Sequence, residues 1–442
     1  MRVDDDGYAD DLEAIKSGST REEEESGGIP AQGTASEGKA IFLLIKAFVG
    51  TGVLFLPHAF GKGGLWFSAV VLSAMAGLSL FSYLLLVKAR AHTPGGGSFG
   101  EIAGTLFGPV MKGVVQTSIV LSQIGFCCAY IIFIASNLRT FFQGVTDCAV
   151  NISVVWYIVM LFAVFVPFAL IRRIEKLGFT SLISEAFILF GIIYILYYDI
   201  SYISANGFSD TTVAFNSRDW SLFIGTAVYS YEGIGLVIPI TESMKRPEKF
   251  PRVLVITLSI VLTLFLSVGM LSYVTFGDKT QTMVVNNMPQ NSGIVSAIQI
   301  LYAIAIIFSV PLQMFPAIVI LEKGSFGPSR SGRVSMKWKW SKNLFRACLV
   351  GVCILISAVG SSNLDIFISL VGSFACIPLC FLYPPIFHLK AVKSSRFMKL
   401  CDWALLILGF IIMIYSTVMA IIEIIHPNDP EPAFDLCSMP SA

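Results

Sequence analysis

Glu232 is the thirteenth of 26 residues in the apolar stretch 220–245, directly before a glycine pair, Gly233-Ile234-Gly235. A second pair, Gly50-Thr51-Gly52, interrupts another apolar stretch, with Lys46 four residues before it. Prolines follow both, at Pro57 and Pro239. Glycine adopts dihedrals that free its N–H and C=O and lets a ligand approach the backbone closely. Unwinding over Val49, Gly50, Thr51, Gly52 and Val53 would present amides at the start of a half-helix, where the dipole favours a carboxylate. Carbonyls released at Gly233, Ile234 and Gly235 would accept from an ammonium. Together the breaks suit a zwitterion such as an amino acid. One glycine pair alone reads as close helix packing. Two in corresponding places point to a transporter's binding site.

A carboxyl at the depth of Glu232 is partly desolvated, which suits it to carry a proton or to cap amides freed by the break. Lys46 lies about 10 Å inside Lys39 at 1.5 Å per residue. It would stand where a coupling cation otherwise binds, or snorkel toward water. Glu232 and Lys46 are therefore the proton-coupling candidates, protons the expected coupling ion and sodium the runner-up. Glu185, about as deep, is a candidate partner of Lys46. Among polar residues of the third and eighth apolar stretches, Tyr130 and Tyr302 are the substrate-binding candidates, whereas Gln123, Asn137, Gln299 and Ser309 suit interhelical hydrogen bonds. His58 would charge in an acidic compartment, or lie at the surface without a role. His92, His388 and His426 carry no pattern. No CxxC or His/Cys cluster suggests a metal, and no cofactor is expected. No HEXXH, paired intramembrane aspartates or Ser/His constellation marks an enzyme.

Such residues need a membrane to position them. Hydrophobic residues make up 55% of 442 and charged ones 13%, with a mean hydropathy of +0.76; globular proteins carry about 25% charged residues. A span needs about 20 apolar residues. Eleven stretches qualify, near 40–61, 65–88, 112–138, 154–171, 178–199, 220–245, 252–276, 294–321, 344–361, 364–388 and 401–425. The expected fold class is an all-α membrane protein of 11 transmembrane helices. Alternate connections hold 21 lysines and arginines on one side, against Lys62, Arg139, Arg218 and Lys279 on the other. That asymmetry puts the amino terminus in the cytosol and the carboxyl terminus across the membrane. The first and sixth spans then run antiparallel. Residues 39–200 and 219–391 form inverted five-helix halves, with helix 11 over 401–425.

Residues 1–38 hold eleven acidic side chains and almost no aromatics, and read as a disordered cytosolic tail. Residues 426–442 form a short tail on the far side. Cys148 and Cys437 share that side and could pair, while Cys127, Cys128, Cys348, Cys353, Cys376 and Cys380 fall inside spans. Asn151-Ile152-Ser153 is a glycosylation acceptor, but too near the fourth span for efficient modification. The expected partners are an amino-acid substrate and the lipid bilayer. Neither nucleic acid nor an obligate protein partner is implied.

The chain resembles the amino acid/auxin permease family, nearest to the fungal vacuolar amino-acid exporters and more distantly to animal proton-coupled amino-acid transporters. The motifs are Leu44-Ile45-Lys46-Ala47-Phe48-Val49-Gly50-Thr51-Gly52-Val53-Leu54-Phe55-Leu56-Pro57, Ser98-Phe99-Gly100-Glu101-Ile102 and Phe223-Ile224-Gly225-Thr226-Ala227. Glu232-Gly233-Ile234-Gly235-Leu236-Val237-Ile238-Pro239, Pro311-Leu312-Gln313-Met314-Phe315-Pro316-Ala317 and Ala375-Cys376-Ile377-Pro378-Leu379 complete them. The resemblance covers about 39–425. It implies the leucine-transporter fold with broken helices 1 and 6, and export of amino acids from an acidic vacuole with protons. Gly50, Thr51, Gly52, Glu232, Gly233 and Gly235 would take the substrate or coupling roles. Two departures stand out: the tail is shorter than in those exporters, and Glu185 replaces an expected uncharged residue. The expected function is therefore secondary active transport of neutral amino acids across the vacuolar membrane. The alternative is a sensor of lumenal amino acids that signals through its tail.

Overall fold

The computed structural model describes residues 33–50, 52–95, 97–171, 178–327, 335–426 and 434–438, with backbone only for 178–182. Among them all regular structure is helical, apart from an isolated bridge between Ala35 and Met244. Hydrocarbon leaves a backbone only helical self-pairing or barrel closure. Of the described helices, nine are long and apolar enough to cross a bilayer. The bent pair Glu37–Phe48 (α1) and Gly52–Gly63 (α2) makes a tenth. Then come α3 (Leu65–Ala91), a short α4 (Phe99–Phe107), α5 (Pro109–Val145) and α6 (Val154–Ala169). At 16 residues α6 is apolar but short, and the expected count of eleven spans is reached only by adding it to those ten. The chain continues through α7 (Gly178–Asn206), α8 (Trp220–Ser230), α9 (Ile234–Ser243), α10 (Phe250–Phe276), α11 (Gly293–Phe326) and α12 (Met336–Gly360). α13 (Leu364–Val371) leads through two π turns into α14 (Tyr383–Ala391), and α15 (Arg396–Ile425) follows.

Burial sorts these helices. Trp220–Ser243, which holds the second glycine pair, is 89% buried over its apolar window, against 22% for Arg396–Ile425. The interrupted helix is central and the last helix lies at the periphery. Close backbone approach locks the centre: a Cβ on Gly225 of α8 would press on the Ser369 carbonyl, and one on Gly372 on the Gly225 carbonyl. Glycine at both positions lets α8 lie directly against the first π turn.

Polar contacts fix the periphery. α4 starts with a capping box, in which the Ser98 amide donates to Glu101 Oε2 at 2.7 Å. His388 Nδ1 lies 2.7 Å from Asp402 Oδ2, both side chains fully buried, and staples α15 to α14. Sequence reading passed over that pair because His388 sits at a span end. Residues 33–38 also differ from expectation. Although composition assigns them to the tail, the Ala35 amide donates to the Ser243 carbonyl and the Lys245 amide to the Ala35 carbonyl, at 2.8 and 2.9 Å. Backbone pairing to the end of α9 draws them into the fold; residues 1–32 lie outside the described residues. At the opposite end Cys148 and Cys437 form a disulfide.

Candidate functional site

Both glycine pairs lie at helix breaks. α1 stops at Phe48, and the Gly50 amide turns back onto the Phe48 carbonyl at 3.1 Å. α2 restarts at Gly52 with a bend of 53°. Thr51 lies outside the described residues. α8 stops at Ser230, leaving Tyr231, Glu232 and Gly233 between it and α9. This break is displaced from the expected one: Ile234 and Gly235 are already helical, because the Leu236 amide bonds the Gly233 carbonyl at 3.0 Å and restarts the helix. A Cβ on Gly235 would meet nothing within 4 Å. On Gly233 it would fall 2.7 Å from Phe48 Cε1, so the glycine is what lets the two breaks touch.

A cavity of about 20 Å³ lies between them. Ala47, Phe48, Gly50 and Gly52 border it from the first broken helix, Tyr229, Ser230 and Glu232 from the second, and Phe126 and Tyr130 from α5. The start of α2 supplies amides without intrahelical acceptors, while the ends of α1 and α8 supply carbonyls. Opposite half-helix dipoles therefore meet at one point. Phe126 and Tyr229 form an aromatic wall, with ring centres 4.3 Å apart. The Glu232 carboxyl makes no hydrogen bond or ion pair within the described residues, and it borders the cavity half-buried.

Of the other sequence-derived candidates, Lys46, Val49, Val53, Gly233, Ile234, Gly235 and Tyr302 do not border this cavity. Val53 and Ile234 are core residues. The Tyr302 hydroxyl donates to the Ile188 carbonyl of α7 at 3.5 Å, where Gly191 leaves room for its ring. Lys46 is half-buried and feels the charge of Glu185, but the two form no ion pair within 4.0 Å. His58, expected at the surface, is 5% exposed and faces Asp365 at 3.9 Å. Asn151 is exposed, and its Oδ1 accepts from Gln143. Sequence reasoning missed Tyr83 of α3, whose hydroxyl donates to the Tyr231 carbonyl and lies 4.0 Å from Cys380 Sγ. It also missed Asp199, buried at the end of a span and bonded to Ser272. Tyr229 and Ser230 were legible only as neighbours of Glu232.

Residues 33–422 match the family described as transmembrane amino acid transporter protein. The chain belongs to that family. The family's description is that of a transporter, not of an enzyme. The chain is 46% identical over 387 residues to vacuolar amino acid transporter 3 of Schizosaccharomyces pombe, covering 88% of this chain and 58% of that protein. It is 45% identical over 384 residues to vacuolar amino acid transporter 3 of Saccharomyces cerevisiae, covering 86% and 55%. This family member thus spans a little over half the length of those relatives. Among solved structures it is similar to MhsT in complex with L-phenylalanine, with a TM-score of 0.56 and 13% identity over 88% of this chain and 99% of that one. MHP1, a nucleobase-cation-symport-1 transporter in a closed conformation with bromovinylhydantoin bound, matches with a TM-score of 0.58 and 12% identity over 93% and 97%. These likenesses place the chain in the leucine-transporter-like class of helical membrane folds.

Proposed function

We propose that this chain is a secondary active transporter of neutral amino acids in the vacuolar membrane, exporting them from lumen to cytosol with protons. One observation carries the reading: the two interrupted helices converge on a single cavity bordered by the free amides of α2, the ends of α1 and α8, and the Glu232 carboxyl. Amides bind the substrate carboxylate, carbonyls bind its ammonium, and Glu232 carries the proton. The apolar and aromatic walls favour uncharged side chains. The names of the fungal relatives supply the substrate class and the membrane.

The cavity admits little more than one water-sized probe, so substrate enters only when the bordering helices part. Alternating access by rocking of the two broken helices with α3 and α10 provides that motion. In this reading the chain crosses the bilayer eleven times, α6 included, as two inverted halves of five spans. The amino terminus lies in the cytosol, and Cys437 in the lumen. Vesicles with an acidic interior, preloaded with labelled amino acids, test it. Efflux from wild-type vesicles should collapse on adding a protonophore. Glu232→Gln should lose that response yet keep counterflow exchange. Wild-type efflux indifferent to the protonophore would sink the coupling.

A further inference from the structure

One face of α5 carries Phe126, Tyr130, Phe133, Asn137 and Thr140 at helical spacing. Phe126 and Tyr130 border the cavity at the breaks. Thr140 borders a second cavity, of about 70 Å³, farther along the same helix. From Tyr130 to Arg139, which also borders it, is about 14 Å at 1.5 Å per residue. Between the two, Phe133 meets Phe55 of α2 edge-on with ring centres 5.5 Å apart, both rings buried. The cavities are two chambers along one helix, divided by an aromatic plug.

The outer chamber is polar. Arg139 comes from α5, Asn286 from the turn Val284–Asn287, and Asp365 from the first turn of α13. Asn286 is only 6% exposed, and its Oδ1 has no hydrogen-bond partner among the described residues. A buried acceptor without a donor costs stability, and a ligand's donor would complete it. Arg139 already holds a carboxylate: its Nη2 lies 2.7 Å from Asp435 Oδ2, and Gln143 Nε2 donates to Oδ1 at 2.9 Å. The Cys148–Cys437 disulfide anchors that segment two residues away. Asp365 supplies the opposite charge, facing His58 and Lys62 at 3.9 and 4.0 Å. Arginine matches a carboxylate, and a carboxylate or amide oxygen matches an ammonium.

We propose that the chamber bordered by Arg139, Asn286 and Asp365 is an outer loading site for a zwitterionic amino acid, and that Asp435 occupies its carboxylate position as a built-in competitor. Arg139 takes the carboxylate once Asp435 yields, Asp365 and Asn286 Oδ1 take the ammonium, and parting of Phe55 from Phe133 passes the substrate inward. The site rests on the amino-acid reading above, and it adds a second stop on the route.

The test uses the full chain in oriented proteoliposomes. Counterflow of the twenty labelled amino acids comes first, and the fastest becomes the probe. Presented from the face that bears Cys437, it should show a KM raised about tenfold in Arg139→Gln and in Asn286→Leu at unchanged kcat. Arg139→Lys should fall between Arg139→Gln and wild type. Asp435→Asn should move the other way and lower KM, because the competitor's charge is gone. The KM from the opposite face should stay at the wild-type value in every variant, which separates a lost loading site from a misfolded chain. If Arg139→Gln and Asp435→Asn shift KM in the same direction, the pair is merely structural and the proposal is overturned. An unmoved KM in Asn286→Leu overturns it equally. If the wild type exchanges none of the twenty, the amino-acid reading falls, and the loading site with it; exchange with an unmoved outer KM removes the loading site alone.

Discussion

The Tyr83 hydroxyl donates to the Tyr231 carbonyl, and the Tyr83 ring stacks on Phe48 with centres 6.0 Å apart. One buried side chain of α3 thereby touches both helix breaks. It satisfies a carbonyl that the second break releases, which neither lipid nor the broken helix itself can do. Ser82, its neighbour, donates to the Cys380 carbonyl in the second π turn. The break, α3 and the π turns are thus tied into one knot.

Tyr83→Phe tests that knot. The substitution keeps the ring on Phe48 and removes the donor, leaving the Tyr231 carbonyl buried without a partner, at a cost of about 1–3 kcal/mol. Thermal unfolding of the purified protein should move down accordingly, and exchange should slow. Tyr83→Ala, which also deletes the stacked ring, should lower the transition further. An unshifted transition in Tyr83→Phe would mean that the carbonyl finds another donor.

Gly233→Ala probes the contact between the breaks. The added methyl falls 2.7 Å from Phe48 Cε1, closer than real carbon atoms approach. Exchange should therefore drop steeply while the protein still inserts. Phe48→Leu in the same chain removes the obstructing ring edge and should restore part of the activity. Gly235→Ala, with open space around the added methyl, should behave like wild type. A Gly235→Ala defect as severe as that of Gly233→Ala would contradict this placement.

These positions also delimit what the amino-acid sequence could reveal. The breaks were legible because an interrupted apolar helix has few physical explanations, and Glu232 because a mid-span carboxyl has fewer. The exact boundary of the second break was not: Gly235 resembles Gly233 in sequence, and only Phe48, some 180 residues earlier, distinguishes them. Tyr83, Phe126 and Tyr229 looked like ordinary apolar-face aromatics, since nothing local tells a tyrosine that caps a distant carbonyl from one that fills a core. Tyr302 shows the converse, a mid-span tyrosine committed to packing against Gly191. The His388–Asp402 pair is 14 residues apart across a turn, a separation that no helical periodicity flags.

The disulfide yields a chemical prediction. Cys148 and Cys437 are 289 residues apart in sequence, whereas the other cysteines among the described residues are free. Under denaturing conditions, a polyethylene-glycol maleimide should add two more labels after reduction than before it. In Cys148→Ser that difference should vanish, with Cys437 labelled at once. If reduction leaves the wild-type labelling unchanged, the pair is not oxidised in the protein as made.

The largest stability effect should come from Arg346, far from either cavity. It is 5% exposed; its Nε and Nη2 donate to Glu322 Oε2 at 3.0 and 2.8 Å, and its Nη1 donates to the Ala169 carbonyl at 3.0 Å. Lys342 joins the same carboxylate at 3.0 Å. One guanidinium therefore ties α12 to α11 and caps the end of α6, the short helix that has few other polar anchors. Removing one member of a buried ion pair strands the other and costs about 3–5 kcal/mol. Arg346→Met should accordingly unfold at markedly lower temperature, with Glu322→Gln somewhat milder because the neutral amide oxygen still accepts from Lys342 and from the buried Arg346. Combining the two should cost less than the sum of the singles, since Arg346 and Glu322 no longer strand each other and only the half-buried Lys342 loses its partner. Additive losses in thermal unfolding would show that packing of the Arg346 stem, rather than the ion pair, holds these helices together.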